Sequence, residues 1–293
     1  MKKLFFYKIR VHCWGGLGSQ LFAWAMAEQL KIKFPSKDIQ IILHNSGVTR
    51  RESAIGFLSN KFIITNMNDY ALSKNSGARI SNRDLKLRKL RVFTKSVLDH
   101  LGLVIYSSNR NTLAKVKPWT LVLRGHYAHD TVPVSILHSI IDQISIHKEF
   151  CFDIPKSEQE TLGIHYRLGD LLNLDDKTYV HPDTLGKFII ENVKSYNQKD
   201  ISVYSDDITV AKRYLGHYLP QNVQFIDKDI WDTLIELTNQ DLFIGTNSKI
   251  SLWVALFRKS QDPNSYVALP RTMAKELDKI LFKSCKIENI DFY

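Results

Sequence analysis

Short apolar runs and longer amphipathic segments follow one another along most of this chain. Runs rich in β-branched residues and bounded by turn formers predict strands at residues 4–13, 39–43, 120–123, 201–204, 223–226, 242–244 and 266–269, with another opening the stretch 161–170. Helix formers or helical spacing predict helices at 21–31, 135–146, 183–195, 210–218, 229–239, 250–258 and 272–285. Residues 44–80 are mixed, with Asn, Ser and Gly turn signals. Strands alternating with helices predict parallel sheets. The polar run after Pro155 marks a boundary, giving domains at 1–155 and 156–293.

Composition adds limits. The 293 residues are 44% hydrophobic and 24% charged, ordinary for a globular chain of one large or two medium domains. The net charge of +10 favours an anionic partner, whether nucleic acid, a phosphorylated ligand or anionic lipid. No helix-turn-helix, zinc or single-strand-binding signature supports nucleic acid. Cys13, Cys151 and Cys285 are scattered without CxxC spacing, which argues against a disulfide framework or a zinc site and fits a reducing cytoplasm. Lys8, Arg10 and His12 break the first apolar run before it reaches signal-peptide length, and no run approaches membrane-spanning length. The expectation is a cytoplasmic protein, soluble or peripheral on the inner membrane face. Residues 79–95 read as a basic amphipathic helix, with Arg79, Arg83, Lys86, Arg88, Lys89, Arg91 and Lys95 against Asp84. Such a helix is either a solvated basic face or a contact for anionic membrane or lipid diphosphate.

Polar clusters follow several predicted strands. The first is the glycine turn Gly15-Gly16-Leu17-Gly18-Ser19-Gln20, which lacks the third glycine of a dinucleotide fingerprint and the Lys-Ser/Thr of a phosphate loop. It is a tight strand-to-helix turn or a backbone cradle for an anion or sugar. In the second half come His165-Tyr166-Arg167-Leu168-Gly169-Asp170, Ser205-Asp206-Asp207 and Asn247-Ser248-Lys249-Ile250. Parallel strands share one carboxyl edge, so these three should converge where open α/β sheets bind ligands. Arg167 and Lys249, with Ser248 at a helix start, suit a pyrophosphate. Asp206 and Asp207 suit base N–H groups or ribose hydroxyls, or form a helix-cap turn. Adjacent aspartates also bind Mg²⁺, a need reduced by the cations beside them.

These clusters resemble, in order, the motifs of the glycosyltransferase family 11 type, the bacterial α-1,2-fucosyltransferases. Gly15 to Phe22 stands for Gly-Gly-Leu-Gly-Asn-Gln and its Phe- and Ala-rich helix; His165 to Asp170 for His-x-Arg-Arg-Gly-Asp; Tyr204 to Asp207 for Phe-Ser-Asp-Asp. Asn247 to Ala255 stands for Asn-Ser-Ser/Thr-Phe-Ser-Trp-Trp-x-Ala. The resemblance implies a GT-B-like α/β fold of two Rossmann-like domains with parallel sheets facing a central cleft. It implies an inverting, metal-independent transfer from GDP-fucose to a hydroxyl, galactoside O-2, of a glycan or lipid-diphosphate-linked oligosaccharide. It assigns Arg167 to the donor pyrophosphate, His165 to the nucleotide, Asp206 and Asp207 to the guanosine side, and Asn247, Ser248, Lys249 and Ile250 to a phosphate cradle. Gly15, Gly16, Gly18, Ser19 and Gln20 face the reaction centre, and Asp170 is a candidate base, with Asp175, Asp176 and His12 as others. Leu168 replaces an arginine, Ser19 an asparagine and Lys249-Ile250 a Ser/Thr-Phe pair. Lys249 would restore the charge absent at Leu168. The departures leave another GDP-sugar, or a catalytically degenerate relative, as alternatives.

Overall fold

A computed structural model describes residues 7–44, 53–67, 97–98, 100–107, 112–125, 127–128, 130–149, 160–173, 179–193, 200–273 and 290–293. The basic segment 79–95, the predicted boundary at 151–159, Asp175, Asp176 and most of the helix expected at 272–285 lie outside those residues. The chain divides into two compact units, Met1–Val132 and Pro133–Tyr293.

The first unit contains β1 (Lys8–Trp14), α1 (Leu17–Lys33), β2 (Asp38–His44), β3 (Ile63–Met67), β4 (Val104–Ser107), α2 (Thr112–Lys115) and β5 (Val122–Gly125). Its sheet runs β3-β2-β1-β5-β4, and every adjacent pair is parallel. Ile9, Val11 and Cys13 of central β1 are buried. α1 is buried from Leu17 to Leu30, as expected of a helix that is apolar nearly all round. Its polar residues bond inside: Glu28 pairs with Lys61 at 2.7 Å and Gln29 Nε2 donates to the Thr131 carbonyl at 2.9 Å. β3 and β4 have no counterpart in the sequence reading. β3 is an edge strand with exposed Ile63 and Met67, so it lacks an alternating apolar signal. β5 starts two residues after the run that predicts it, because Thr120 belongs to the preceding turn. Its Oγ1 donates to the Gly102 carbonyl at 2.7 Å and accepts from Lys117 N at 2.9 Å.

The second unit opens with α3 (Val134–Lys148), which packs against α7 (Lys249–Gln261). That packing puts residues 134–148 in this unit, although the sequence reading groups them with the first domain. Between these helices lie β6 (Thr161–His165), α4 (Pro182–Asn192), β7 (Asp200–Tyr204), α5 (Ile208–Leu215), β8 (Gln224–Ile226), α6 (Ile230–Asn239) and β9 (Leu242–Gly245). β10 (Tyr266–Leu269) and β11 (Asp291–Phe292) follow, and the parallel sheet runs β11-β10-β9-β6-β7-β8. The chain moves outward from β6 to β8, then returns to the other side of β6 with β9. The carboxyl end of β6 is therefore a topological switch point. Buried Arg258 fixes α7 to the end of α6, donating to the Thr238, Gln240 and Asp241 carbonyls. Burial lowers its pKa to about 10, so it keeps its charge at neutral pH.

Alternation continues past β6. Leu162, Ile164, Tyr166 and Leu168 all enter one core, with Val180, Leu185, Ile189, Val203 and Ala211. Leu168 is fully buried there. Position 168 thus serves the core, and the idea that Lys249 compensates for a charge lost from the site loses its premise. Leu168→Ala is expected to lower unfolding free energy by about 2–5 kcal/mol in a urea titration, the range for truncating a buried leucine. A loss of only a few tenths would contradict the core placement.

Candidate nucleotide-diphosphate site

The alternation that buries Tyr166 and Leu168 turns His165 and Arg167 to the other side of the β6 strand end. There they meet the residues that follow β7 and β9, the neighbours of β6. Arg167 N donates to Thr246 Oγ1 at 2.9 Å, and Thr246 Oγ1 donates to the His165 carbonyl at 2.9 Å. The Arg167 guanidinium forms an ion pair with Asp206 Oδ2, and Leu168 N donates to Asp206 Oδ1 at 2.9 Å. One carboxylate therefore holds both the side chain of the arginine and the backbone after it. Arg167 and Asp206 remain partly exposed, at 19% and 29% of their side chains. The pair is thus open to an anion that competes for the guanidinium.

Gly169 is required here by space. A Cβ at 169 would lie 2.1 Å from Asp206 Oδ2, so any side chain displaces the carboxylate that holds Arg167. Gly169–Asn173 forms a single 3-10 segment, and Asp170 is its second residue.

Asp207 is the N-cap of α5, its side chain accepting from Val210 N at 3.0 Å. Asp207 thus follows the helix-cap reading, and Asp206 has a position that neither reading gave it, holding Arg167. Ser248 caps α7, accepting from Ile250 N at 3.1 Å. Lys249 opens that 13-residue helix half-buried, and Ile250 is buried in the core. Asn247 Oδ1 accepts from Thr272 Oγ1 at 2.6 Å. The carboxyl edge of the second sheet thus brings together Arg167, Asp206 and a helix N-terminus, whose N–H groups and dipole favour a negative charge.

His165 is buried, with Nδ1 at 2.8 Å from Ser251 Oγ, which accepts from Thr246 N at 3.2 Å. A neutral ring satisfies this network with Ser251 donating to Nδ1 and the ring hydrogen on Nε2. Burial first, and the Arg167 charge second, push the His165 pKa down to about 3. Thr246 and Ser251 link these groups but are not among the residues singled out from the sequence. Their signal is position alone, directly after β9 and one turn into α7.

In the first unit, the turn after β1 is held from within. Gly15 has φ +105°, and a Cβ there would meet Ser19 Oγ at 2.9 Å. Gly16 is the N-cap of α1, and its carbonyl accepts from Ser19 N and Gln20 N at 2.9 and 3.1 Å. Gln20 is buried, donating to the Gly15 carbonyl at 3.2 Å and accepting from Ala54 N at 2.8 Å. Gly18 and Ser19 are also buried, and the Cys13 thiol donates to the Ser19 carbonyl at 3.3 Å. Most of these positions therefore build the turn. Beside it stand side chains the sequence reading passed over. Parallel register sets Trp14 against His44, and their rings stack 4.2 Å apart. His12 Nδ1 lies 2.8 Å from His44 Nε2, and the Arg124 guanidinium sits 5.2 Å from the Trp14 ring centre. Only His12 among them is a sequence candidate.

The buried histidine has a pH consequence. Its folded pKa, about 3, lies below its ordinary 6.5, so the unfolded chain takes up this proton first as pH falls. The stability contribution is present above pH 6.5 and is lost toward pH 3, at up to about 1.4 kcal/mol per pH unit. Denaturant titrations from pH 7 to 4 should show a shallower decline for His165→Gln than for the wild type. Equal slopes would contradict the neutral buried ring.

No family model matches the chain, and no curated protein matches it. Solved structures do. POFUT1 in complex with GDP matches at 13% identity and a TM-score of 0.42, covering 89% of this chain and 97% of that one. The E. coli heptosyltransferase WaaC with ADP matches at 10% identity and a TM-score of 0.47, covering 97% and 93%. The glycosyl transferase family 9 structure from Veillonella parvula DSM 2008 matches at 7% and 0.46, covering 91% and 82%.

Proposed function

We propose that this chain is an inverting, metal-independent glycosyltransferase that moves L-fucose from GDP-fucose to a hydroxyl, galactoside O-2, of a bacterial surface-glycan precursor. The observation that carries the proposal is Arg167, held by Asp206 at the switch point of the second sheet, on the same sheet edge as the N-terminus of α7. The ordered motif resemblance supplies the sugar and the base.

In such a transfer the acceptor hydroxyl attacks the sugar carbon as the carbon–phosphate oxygen bond breaks. The acceptor proton leaves to a base, for which Asp170 is the candidate, and the bond electrons pass to the β-phosphate of GDP. Negative charge grows there, so a fixed guanidinium and helix N–H groups stabilise the transition state more than the bound donor. Asp206 acts through Arg167, and Gly169 acts by leaving room for Asp206. The Arg167 guanidinium and the helix N–H groups would supply the role that a metal ion has in other transferases.

Arg167→Ala is expected to lower transfer on the order of 10²–10³-fold while the protein stays folded. Gly169→Ala should act on the same step, and Arg167→Lys should recover little, because a lysine lacks the planar fork. Activity should persist in EDTA. A folded Arg167→Ala protein with near-normal turnover would overturn the assignment.

A further inference from the structure

The opposite edge of the first sheet carries a different surface. β1 and β2 begin there at Lys8 and Asp38, β4 and β5 at Val104 and Val122, and α1 runs back to end there at Lys33. Segments 31–37 and 112–119 both reach this edge. They contain Lys31, Lys33, Lys37, Lys115 and Lys117 and no carboxylate.

Bonds tie the two segments into one surface. Lys33 Nζ donates to the Leu113 and Val116 carbonyls at 2.8 and 3.1 Å, and Lys37 Nζ donates to the Pro118 carbonyl. Lys31 Nζ donates to the Pro35 and Lys37 carbonyls at 2.9 and 3.0 Å. Trp119 Nε1 donates to the Leu101 carbonyl at 2.9 Å, and a Cβ at Gly102 would lie 3.5 Å from Lys117 and 3.6 Å from Trp119. Two large apolar side chains are left projecting at this junction, Leu101 at 53% and Trp119 at 49% exposure, with Val97 one turn before Leu101 at 39%. Burial first, and the nearby Lys117 charge second, lower the Lys33 pKa.

We propose that this edge of the first unit is a docking surface for an anionic lipid membrane. Exposed Lys115 and Lys117 supply attraction to acidic headgroups, and Lys31, Lys33 and Lys37 add positive charge with their ammonium groups held on backbone carbonyls. A tryptophan whose N–H is already bonded can enter the interfacial layer without losing a partner, and Leu101 and Val97 add apolar area beside it. A nucleic-acid partner is the weaker fit, because isolated aliphatic side chains gain nothing from a phosphate backbone. The surface lies on the edge away from the Gly15 turn, and the proposal stands independently of the glycosyltransferase reading.

Sedimentation of the full chain with vesicles tests it. The protein should pellet with mixed phosphatidylglycerol and phosphatidylcholine vesicles and stay in solution with phosphatidylcholine alone. Lys115→Glu with Lys117→Glu should weaken partitioning on the order of tenfold or more. Leu101→Ser with Trp119→Ser should weaken it in low salt, where charge alone is strongest. Unchanged melting temperature and GDP binding in both variants keep folding and the donor site out of the result. Equal binding to neutral vesicles, undiminished binding by the variants, no binding by the wild type, or displacement by a duplex oligonucleotide would overturn the proposal.

Discussion

A guanidinium at the end of a strand buried on both faces has to be neutralised and fixed, or it costs more than it contributes. Arg167 meets that demand through Asp206, which takes its charge and the N–H of the next residue together. Much of the second unit follows from this clasp. Gly169 must lack a side chain so that the carboxylate fits, and Leu168 is anchored in the core on the other side. Thr246 ties the arginine backbone to the end of β9, and Ser251 ties His165 to the first turn of α7. Three strand ends and one helix start are thereby set in a fixed relation around a cation that still reaches solvent.

The sequence made this arrangement legible to a definite depth. Apolar runs located the buried strands of the second unit within a residue or two, and their alternation with helices implied parallel pairing. The convergence of the clusters after β6, β7 and β9 followed from that pairing alone. What stayed hidden depends on partners far along the chain. Asp206 and Asp207 are adjacent and chemically alike, yet one holds Arg167 and the other caps α5. Leu168 looked like a missing site residue because a motif cannot tell which face of the backbone a position takes. Edge strands such as β3 carry too little burial to leave a pattern.

The first unit teaches a related point. Its glycine turn is tied to its surroundings: Gln20 donates to the Gly15 carbonyl and accepts from Ala54 N, and the Ser19 carbonyl accepts from the Cys13 thiol. Chemistry-bearing groups stand beside the turn, where parallel register sets Trp14 against His44 and brings His12 within hydrogen-bond reach. The cationic surface at the far edge of this sheet is likewise scattered in sequence over residues 31–37, 101 and 112–119, and only folding collects it.

The most direct test of the central claim is calorimetric titration of the full chain with GDP, ADP, UDP and their sugar conjugates. A diphosphate site on the second unit of a GDP-sugar transferase predicts that GDP and GDP-fucose bind more tightly than ADP or UDP. It also predicts that Arg167→Ala removes most of the affinity. Preference for a UDP-sugar, or GDP affinity indifferent to Arg167, would contradict it.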